Sequence, residues 1–403
     1  MTFVTHLEST ADGSRLPAGT LQTVHDGKPL LVRYDLQALG HAVSKEALRD
    51  RAPDLWRYAE FLPLADASHR VSLGEGMSPL LHCPRLGAEL GMKHLYIKDE
   101  SQLPTGSFKA RGMCLAVSMA QEFGVRRVAT PTAGNAGGAL AAYAARAGME
   151  CYVFMPADTP IVNQLEAYWY GARAWLVPGL ITDCGAIVRE GVAEMGWFDM
   201  STLREPYRIE GKKTMGLELA EQMDWELPEH IFYPTGGGTG LIGMWKAFDE
   251  LATIGWIPDS PRPRMFSCQS DGCAPIARAW EQGLDHGAEI SDPVTEASGL
   301  RVPKALGDFL ILSAVRESGG QALATPEAGL RDLMSLATRL EGISLCPEAA
   351  ACLGCLSQAL AAGTVHPEDR TVIFNTGALQ KYVEVLSTPL PTLDPHAIAW
   401  STL

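Results

Sequence analysis

Residues 231–248 read Ile-Phe-Tyr-Pro-Thr-Gly-Gly-Gly-Thr-Gly-Leu-Ile-Gly-Met-Trp-Lys-Ala-Phe, and this stretch decides the fold. The β-branched and aromatic run at 231–234 predicts a strand, and the apolar residues of 241–248 are spaced as in a helix. Between them, four glycines in the five positions 236–240 are unfavourable unless the backbone must close on something. Glycines there let several N–H groups converge on a phosphate, and the dipole of the following helix adds to the attraction.

The spacing of this turn argues against two kinds of nucleotide site. A dinucleotide fingerprint requires G-x-G-x-x-G and an acidic residue about 20 positions later, and the glycines here do not have that spacing. The lysine of a nucleotide P-loop is also missing after Gly240. The turn therefore indicates the phosphate of a smaller cofactor, held by Gly236, Gly237, Gly238, Thr239 and Gly240.

The same order of strand, turn and helix recurs from about residue 93 to residue 375. Strand-like runs occupy residues 127–131, 151–154, 264–268 and 371–374, and a helix-like run occupies residues 137–145. Strands that alternate with helices predict an α/β fold built on a largely parallel sheet. The carboxyl ends of such strands are where ligands bind.

A lysine stands at one of these turns. The segment Pro104-Thr-Gly-Ser-Phe-Lys109-Ala-Arg-Gly112 presents Lys109 at the entry to an apolar helix. Desolvation lowers the pKa of a lysine and makes its amine a nucleophile toward an aldehyde. Taken alone, the segment also fits an ordinary surface lysine.

A second turn, Thr130-Pro-Thr-Ala-Gly-Asn-Ala-Gly-Gly138, lies between a predicted strand and a predicted helix. Free N–H groups at such a helix start bind a carboxylate or a phosphate, and the Asn135 side chain adds a hydrogen bond. The alternative is a simple turn with Asn135 as the helix cap.

A third strand, in residues 372–377, ends in Thr376 and Gly377. By itself it could be no more than a strand terminus. Because all of these turns are strand-to-helix or strand-end positions, an α/β sheet would gather them at one edge.

Composition excludes some classes of partner. The 403 residues carry a formal net charge of −14 and a sequence pI near 5.2, so nucleic acid and anionic membrane surfaces are unexpected partners. No apolar run of about 18 residues occurs, and the beginning of the chain lacks a basic region followed by an apolar one. We therefore expect a cytoplasmic protein.

The nine cysteines are scattered, which predicts reduced thiols. Cys352 and Cys355 form a C-x-x-C pair inside a helix-like run, and core packing is the favoured interpretation over a redox or metal role. Cys268 and Cys273 have no cysteine or histidine partner at ligand spacing. The sequence therefore predicts no metal site.

Seven motifs in order make the chain resemble the threonine synthases, within the tryptophan-synthase-β-like, fold type II group of pyridoxal-phosphate enzymes. The resemblance covers nearly the whole chain, and the stretch at 207–214, Tyr-Arg-Ile-Glu-Gly-Lys-Lys-Thr, favours threonine synthase over the dehydratases and β-replacement enzymes that share the other motifs. The motifs are residues 72–80, 104–109, 133–135, 207–214, 234–240, 346–348 (Cys-Pro-Glu) and 375–377.

The resemblance implies a role for each candidate residue. Lys109 would carry pyridoxal 5′-phosphate as a Schiff base and shuttle protons, Asn135 would bond the 3′-oxygen of the ring, and Thr376 would face the ring nitrogen. The substrate carboxylate would bind at Thr132, Ala133 and Gly134, with Ser107 also in the substrate site. Arg208, Lys212 and Lys213 would bind the phosphate of O-phosphohomoserine, unless they form a solvated helix start.

The resemblance also implies an architecture. It predicts two domains, each with a mainly parallel sheet flanked by helices: a large cofactor-binding domain of residues 59–108 and 209–382, and a small one of residues 109–208. Residues 1–58 would form an arm or cap, residues 383–403 a tail, and two chains a homodimer.

Three departures from the family pattern stand out. The N-terminal arm has no cysteine where many relatives carry a Cys-rich knuckle, Leu379 replaces a glycine in the run after Thr376, and Ala110 stands where an Asp is frequent.

These departures keep other functions open. An ammonia-lyase acting on serine or threonine, a β-replacement enzyme that uses a sulfur nucleophile, and a cofactor-binding protein without turnover are the alternatives. An ammonia-lyase shares Lys109, the Asn135 turn and the glycine turn but needs no pocket for a substrate phosphate. Release of a 2-oxo acid rather than phosphate would therefore distinguish it.

Overall fold

The structure is a computed structural model that describes residues 2–386, 390–396, 398 and 400. Its described strands form three sheets. The predicted C-terminal tail, residues 383–403, lies partly outside the described residues. Within the described part, no helix has the length and apolarity needed to cross a membrane.

The largest sheet has six strands in the order β12-β11-β10-β13-β5-β4. All neighbours are parallel except β4 and β5, so β4 is an antiparallel edge strand. The burial of β10 and β13 along their whole length is typical of a parallel sheet covered by helices on both faces. In chain order the strands are β4 Leu80–His82, β5 Leu95–Asp99, β10 His230–Pro234, β11 Arg264–Ser270, β12 Gln321–Thr325 and β13 Thr371–Asn375.

A second sheet has four parallel strands in the order β8-β7-β6-β9. The remaining sheet is antiparallel, in the order β2-β1-β3, and is built from the N-terminal arm. The strands of the parallel sheet are β6 Arg127–Pro131, β7 Glu150–Pro156, β8 Arg173–Val177 and β9 Phe198–Asp199, and those of the antiparallel sheet are β1 Val4–Ser9, β2 Arg15–Leu16 and β3 Leu30–Tyr34.

Helices connect the parallel strands and cover the sheets, which confirms the predicted α/β class. The α-helices are α1 Leu36–Ala42, α2 Lys45–Leu48, α3 Pro84–Leu90, α4 Lys109–Glu122, α5 Ala136–Ala147, α6 Ile161–Trp169, α7 Ile181–Met195, α8 Tyr207–Gln222, α9 Thr239–Thr253, α10 Pro275–Glu281, α11 Asp308–Glu317, α12 Leu330–Glu341 and α13 Pro347–Ala361. Short 3-10 helices cover Leu55–Phe61, Ala67–His69, Glu100–Gln102, Pro104–Gly106, Ser298–Leu300, Glu327–Gly329 and Leu379–Lys381.

The strands of the two parallel sheets come from separate parts of the sequence. Those of the four-stranded sheet lie between residues 127 and 199, and those of the six-stranded sheet lie on either side, at 80–99 and 230–375. We propose that this separation reflects the predicted domains, residues 109–208 and residues 59–108 with 209–382.

Helices α4 and α8 cross in the middle of the molecule, and glycines allow them to approach. A Cβ on Gly211 of α8 would lie 2.3 Å from the carbonyl oxygen of Arg111 in α4. A Cβ on Gly112 would lie close to the ammonium of Lys212. Since α4 begins at Lys109, this close crossing determines where the lysine stands.

All nine cysteines are buried and free. Cys352 and Cys355 lie in the core on α13, which confirms the packing interpretation. Cys268 of β11 lies against both of them. Its distance from Cys352 and Cys355 along the sequence therefore did not reveal that these three thiols are neighbours. The reason is that α13 packs on β11, which brings together residues more than 80 positions apart.

Candidate active site

A cavity of about 290 Å³ lies where the carboxyl ends of strands from both parallel sheets meet. The turns after β6, β9, β10 and β13 all contribute to its wall, as the rule for α/β sheets predicts. Of the predicted site residues, those that line it are Lys109, Thr132, Ala133, Gly134, Asn135, Arg208, Gly236, Gly237, Gly238, Thr239, Gly240 and Thr376.

Lys109 is the first residue of α4, and its ammonium lies 3.8 Å from the centre of the Phe108 ring. Burial lowers its pKa to about 7, and the positive charge of Arg208 lowers the pKa in the same direction. A substantial fraction of the amine is therefore neutral near pH 7, which is the form that attacks an aldehyde.

Two backbone hydrogen bonds, which together form an antiparallel bridge, hold the lysine segment against the segment that contains Thr376. The Phe108 N–H donates to the Thr376 carbonyl at 3.2 Å, and the Ala378 N–H donates to the Gly106 carbonyl at 2.9 Å. Ser107 and Gly377 form an antiparallel bridge. Two segments about 270 residues apart are thereby joined beside the cavity.

Ser107 does not reach the cavity wall. It is fully buried, and its hydroxyl has no hydrogen-bond partner within the described ranges. The structure therefore gives no support to the predicted substrate contact of this side chain.

Asn135 precedes α5, but its side chain makes no cap to the helix among the residues described. Its amide nitrogen lies 3.4 Å from the hydroxyl of Tyr382, and its buried Oδ1 lacks a hydrogen-bond partner in the described part of the chain. The helix-cap alternative is therefore wrong. An unsatisfied buried amide oxygen is expected to meet a ligand.

The glycine turn leads directly into α9. Gly238 has a φ of +77°, and no described side chain caps the helix start that it forms. A Cβ on Gly236 would lie 2.3 Å from the Gly299 carbonyl oxygen, and one on Gly238 would lie 2.3 Å from the Ile311 side chain. A side chain at Gly236 or Gly238 would clash with neighbouring residues, and Gly238 also has a backbone conformation that favours glycine. The N–H groups of the turn are left free to bind an anion.

The three basic residues predicted to bind a substrate phosphate differ in their placement. Arg208 is 1% exposed, lines the cavity and donates to the Met200 carbonyl at 2.7 Å. Lys212 is buried behind Phe108, outside the cavity wall, and burial lowers its pKa well below the usual value. Because these side chains are buried, the alternative of a solvated helix start is wrong.

Lys213 does not reach the cavity. Its ammonium lies 2.7 Å from a carboxylate oxygen of Glu210 and 2.8 Å from one of Glu250, and all three side chains are buried. A cation held by two carboxylates in the interior is not available to a substrate phosphate, so the structure corrects the prediction for this residue.

Several cavity residues were not found from the sequence. Four are basic, and two, Glu348 and Tyr382, form a hydrogen-bonded pair at 2.8 Å. Glu348 belongs to the Cys-Pro-Glu motif at 346–348 that contributed to the family resemblance, but no role was predicted for it. The others come from loops and helices without a recognisable turn, so no local pattern marked them. The basic ones are Arg189, Arg204, Arg301 and Lys304.

Away from the cavity, the described residues include one group of side chains that could hold a metal ion. The ligand atoms of Asp12, His25 and Asp26 lie within 4.8 Å of one another in the N-terminal arm. Exposed acidic groups of this kind are common without a metal, so the expected absence of a metal site stays a prediction.

The cavity residues fit pyridoxal 5′-phosphate. A lysine with a lowered pKa supplies the amine, the uncapped start of α9 suits a phosphate, and Asn135, whose side-chain oxygen has no partner among the described residues, lines the same cavity. A cofactor with an aldehyde and a phosphate needs these groups together.

Comparisons with known proteins agree with this fit. Residues 71–377 match the family described as pyridoxal-phosphate dependent enzyme. The chain is 35% identical to the threonine synthase of Methanocaldococcus jannaschii, over 89% of this chain and 88% of that protein. It is 34% identical to the threonine synthase of Methanosarcina acetivorans, over 87% and 85%.

Among solved structures, the chain is similar to maize serine racemase, with a TM-score of 0.65 and 22% identity over 75% of this chain and 88% of that one. That likeness concerns the fold alone and confirms the predicted fold type II architecture. The chain therefore belongs to the family of pyridoxal-phosphate dependent enzymes, in the group that contains the threonine synthases.

Proposed function

We propose that this enzyme converts O-phosphohomoserine and water to threonine and phosphate. The observation that carries the proposal is that the cavity wall offers two kinds of group to anions. One is the bare backbone of residues 236–240, suited to the cofactor phosphate, and the other is a set of basic side chains that includes Arg208. An amino acid without a phosphate would not need the second. The threonine synthases to which the chain is similar support the same reaction.

When bound, pyridoxal phosphate supplies an aldehyde that joins the substrate amine and a ring that withdraws electrons from the substrate carbons. The turn 236–240, Asn135 and Thr376 would hold it. A hydroxyl at position 376 does not protonate a pyridine nitrogen as an Asp does, so the ring would be a moderate electron acceptor.

The side chains of the cavity supply the remaining steps. The Ala133 N–H and the N–H groups at the start of α5 would receive the substrate carboxylate, since the N–H groups of Thr132 and Gly134 already donate to the Phe154 carbonyl and to Thr132 Oγ1. The neutral amine of Lys109 would accept the α-proton, since its lowered pKa suits proton transfer near neutral pH. Arg208 would bind the leaving phosphate, because a guanidinium matches phosphate oxygens.

Two other basic residues of the cavity wall, Arg204 and Arg189, are available to the same phosphate. No hydrogen bond or ion pair within the described chain occupies the guanidinium of Arg204 or Arg189, whereas Arg301 is paired with Asp158 at 2.8 Å. Lys304 is shared with Asp308. We therefore place Arg204 next to Arg208 in importance and leave Lys213 out.

The test is a product assay on purified enzyme with O-phosphohomoserine, serine and threonine in parallel. We expect equal amounts of threonine and phosphate from the first and no 2-oxo acid from the other two. The substitution Arg208→Met should lower kcat/KM for O-phosphohomoserine by at least 100-fold but leave the binding of threonine, which has no phosphate, nearly unchanged.

The control is Arg331→Met, which removes an exposed arginine that does not line the cavity. Release of 2-oxo acid from serine or threonine without phosphate release from O-phosphohomoserine would instead favour an ammonia-lyase. An Arg208 variant that binds threonine as poorly as the phosphorylated substrate would show that the arginine does not recognise phosphate.

A further inference from the structure

Glu348 is a buried carboxylate on the cavity wall that the proposed steps do not use. It lies in the first turn of α13, is 3% exposed and lines the cavity together with Lys109 and Thr376. A buried carboxylate is unfavourable unless its oxygens are hydrogen-bonded. The hydrogen bonds of Glu348 therefore indicate whether the carboxylate is left free to meet a ligand.

Among the described residues, hydrogen-bond partners are found for one of the two oxygens of Glu348. Oε1 accepts from the Gly299 N–H at 2.8 Å and from the Tyr382 hydroxyl at 2.8 Å. Oε2 is buried and has no hydrogen-bond partner in the described parts of the chain. A buried polar atom without a protein partner beside a cavity is expected to meet a ligand or a bound water.

The neighbours of Glu348 are arranged to hold it in this orientation. A Cβ on Gly299 would lie 2.7 Å from Oε1, so only a glycine lets the backbone approach the carboxylate. Tyr382 is 2% exposed, and burial beside Glu348 raises its pKa well above the usual value. The tyrosine therefore keeps its proton and remains a donor to Oε1, which leaves Oε2 as the accepting oxygen.

The proposed reaction has a step for a group of this kind. The substrate must first lose its α-proton and one β-proton, its phosphate must leave Cγ, and Cγ must take up a proton, so that a double bond joins Cα and Cβ. A water molecule then adds to Cβ and loses a proton as it does so. Lys109 is engaged at Cα. The basic side chains that bind phosphate are cations and do not accept a proton.

We propose that Oε2 of Glu348 is the base that accepts this proton, and that Tyr382 is a positioning residue that orients the carboxylate. The proposal rests on the proposed function. The water oxygen forms a bond to Cβ, and one water O–H bond breaks with its proton passing to Oε2. The electron pair of the carbon–carbon double bond between Cα and Cβ takes a proton at Cα from Lys109. Glu348 then releases its proton to solvent.

The test is the partition of products in Glu348→Gln, which keeps the size of the side chain but removes the base. A positioned base contributes roughly 100-fold to 10,000-fold to a rate, so water addition should slow while phosphate release continues. The unsaturated product should then appear as 2-oxobutanoate and ammonia. We expect threonine formed per phosphate to fall at least tenfold, with 2-oxobutanoate making up the difference.

Two further variants separate orientation from chemistry. Tyr382→Phe keeps the carboxylate and should lower threonine per phosphate several-fold, and Glu348→Asp should recover part of the loss seen in Glu348→Gln. The surface substitution Glu289→Gln is the control and should leave the ratio unchanged.

The ratio of threonine to phosphate in these variants decides whether Glu348 is the base. If threonine and phosphate decrease together in Glu348→Gln, or if their ratio stays within twofold of the wild-type value, Glu348 is not the base. Should Glu348→Gln fail to fold, an unchanged ratio in Tyr382→Phe overturns the proposal. A wild-type enzyme that forms no threonine refutes the proposed function itself, and the role of Glu348 in water addition with it.

Discussion

Arg111 is two residues beyond Lys109, and replacing it with methionine should strongly destabilise the enzyme. Its guanidinium is fully buried between Glu100 and Glu218. It donates to Glu100 at 2.6 and 2.8 Å and to Glu218 at 2.8 and 2.9 Å. Lys98 also contacts Glu218, so the methionine variant leaves Glu100 as the carboxylate without a cation.

The size of the effect follows from that uncompensated charge. Removing one partner from a buried ion pair costs about 3–5 kcal/mol. The exposed pair of Arg331 and Glu296 provides the matched control, because an exposed salt bridge contributes about 0–1 kcal/mol. We therefore expect Arg111→Met to lower the free energy of unfolding by several kcal/mol more than Arg331→Met.

Urea denaturation at a fixed protein concentration measures both variants, and a second substitution identifies the cause. If the unpaired carboxylate is responsible, Glu100→Gln added to Arg111→Met should recover about 1–3 kcal/mol, since a neutral amide needs no cation. The reasoning is refuted if the double variant is as unstable as the sum of its two single variants, or if Arg111→Met is no worse than Arg331→Met.

Two other predictions concern the cofactor. The pKa of Lys109 is about 7, so capture of pyridoxal phosphate by the cofactor-free enzyme, followed by absorbance, should be fast above pH 7 and slow below it, where the amine is protonated. Arg208→Met removes a neighbouring positive charge that lowers the pKa of Lys109, so the pH at which the capture rate is half-maximal should move upward. If that pH does not change, Arg208 does not affect the pKa of the lysine. Gly238→Ala should weaken cofactor binding by about tenfold to a hundredfold, or roughly 1–3 kcal/mol, because its φ is +77° and its Cβ would lie 2.3 Å from Ile311. Gly363→Ala is the control, since it has a φ of +70° but open space around it, and equal cofactor affinity in the two variants would contradict the prediction.

The strands, the turns and the nucleophilic lysine could be predicted from the sequence because their signals are local. The glycines at 236–240 and the start of α4 at Lys109 are properties of a few consecutive residues. The order of these motifs along the chain also carried the family resemblance.

The orientation of the basic residues on α8 could not be predicted in this way. Arg208 and Lys213 are five positions apart, so they point about 140° away from each other around a helix of 3.6 residues per turn. Arg208 reaches the cavity, whereas Lys213 faces Glu210 and Glu250. Which side of α8 faced the substrate depended on how α4 and α9 packed against it.

The sequence alone therefore determined the kind of fold, the cofactor and the place of Lys109 at the start of a helix, since periodicity and turn composition act over short stretches. Only the tertiary structure decided which charged side chains line the cavity. Glu348 and Tyr382, which are 34 residues apart, become partners only because α13 and the segment after β13 converge on the same cavity. Pairings of this kind depend on packing between distant elements, and no local pattern encodes them.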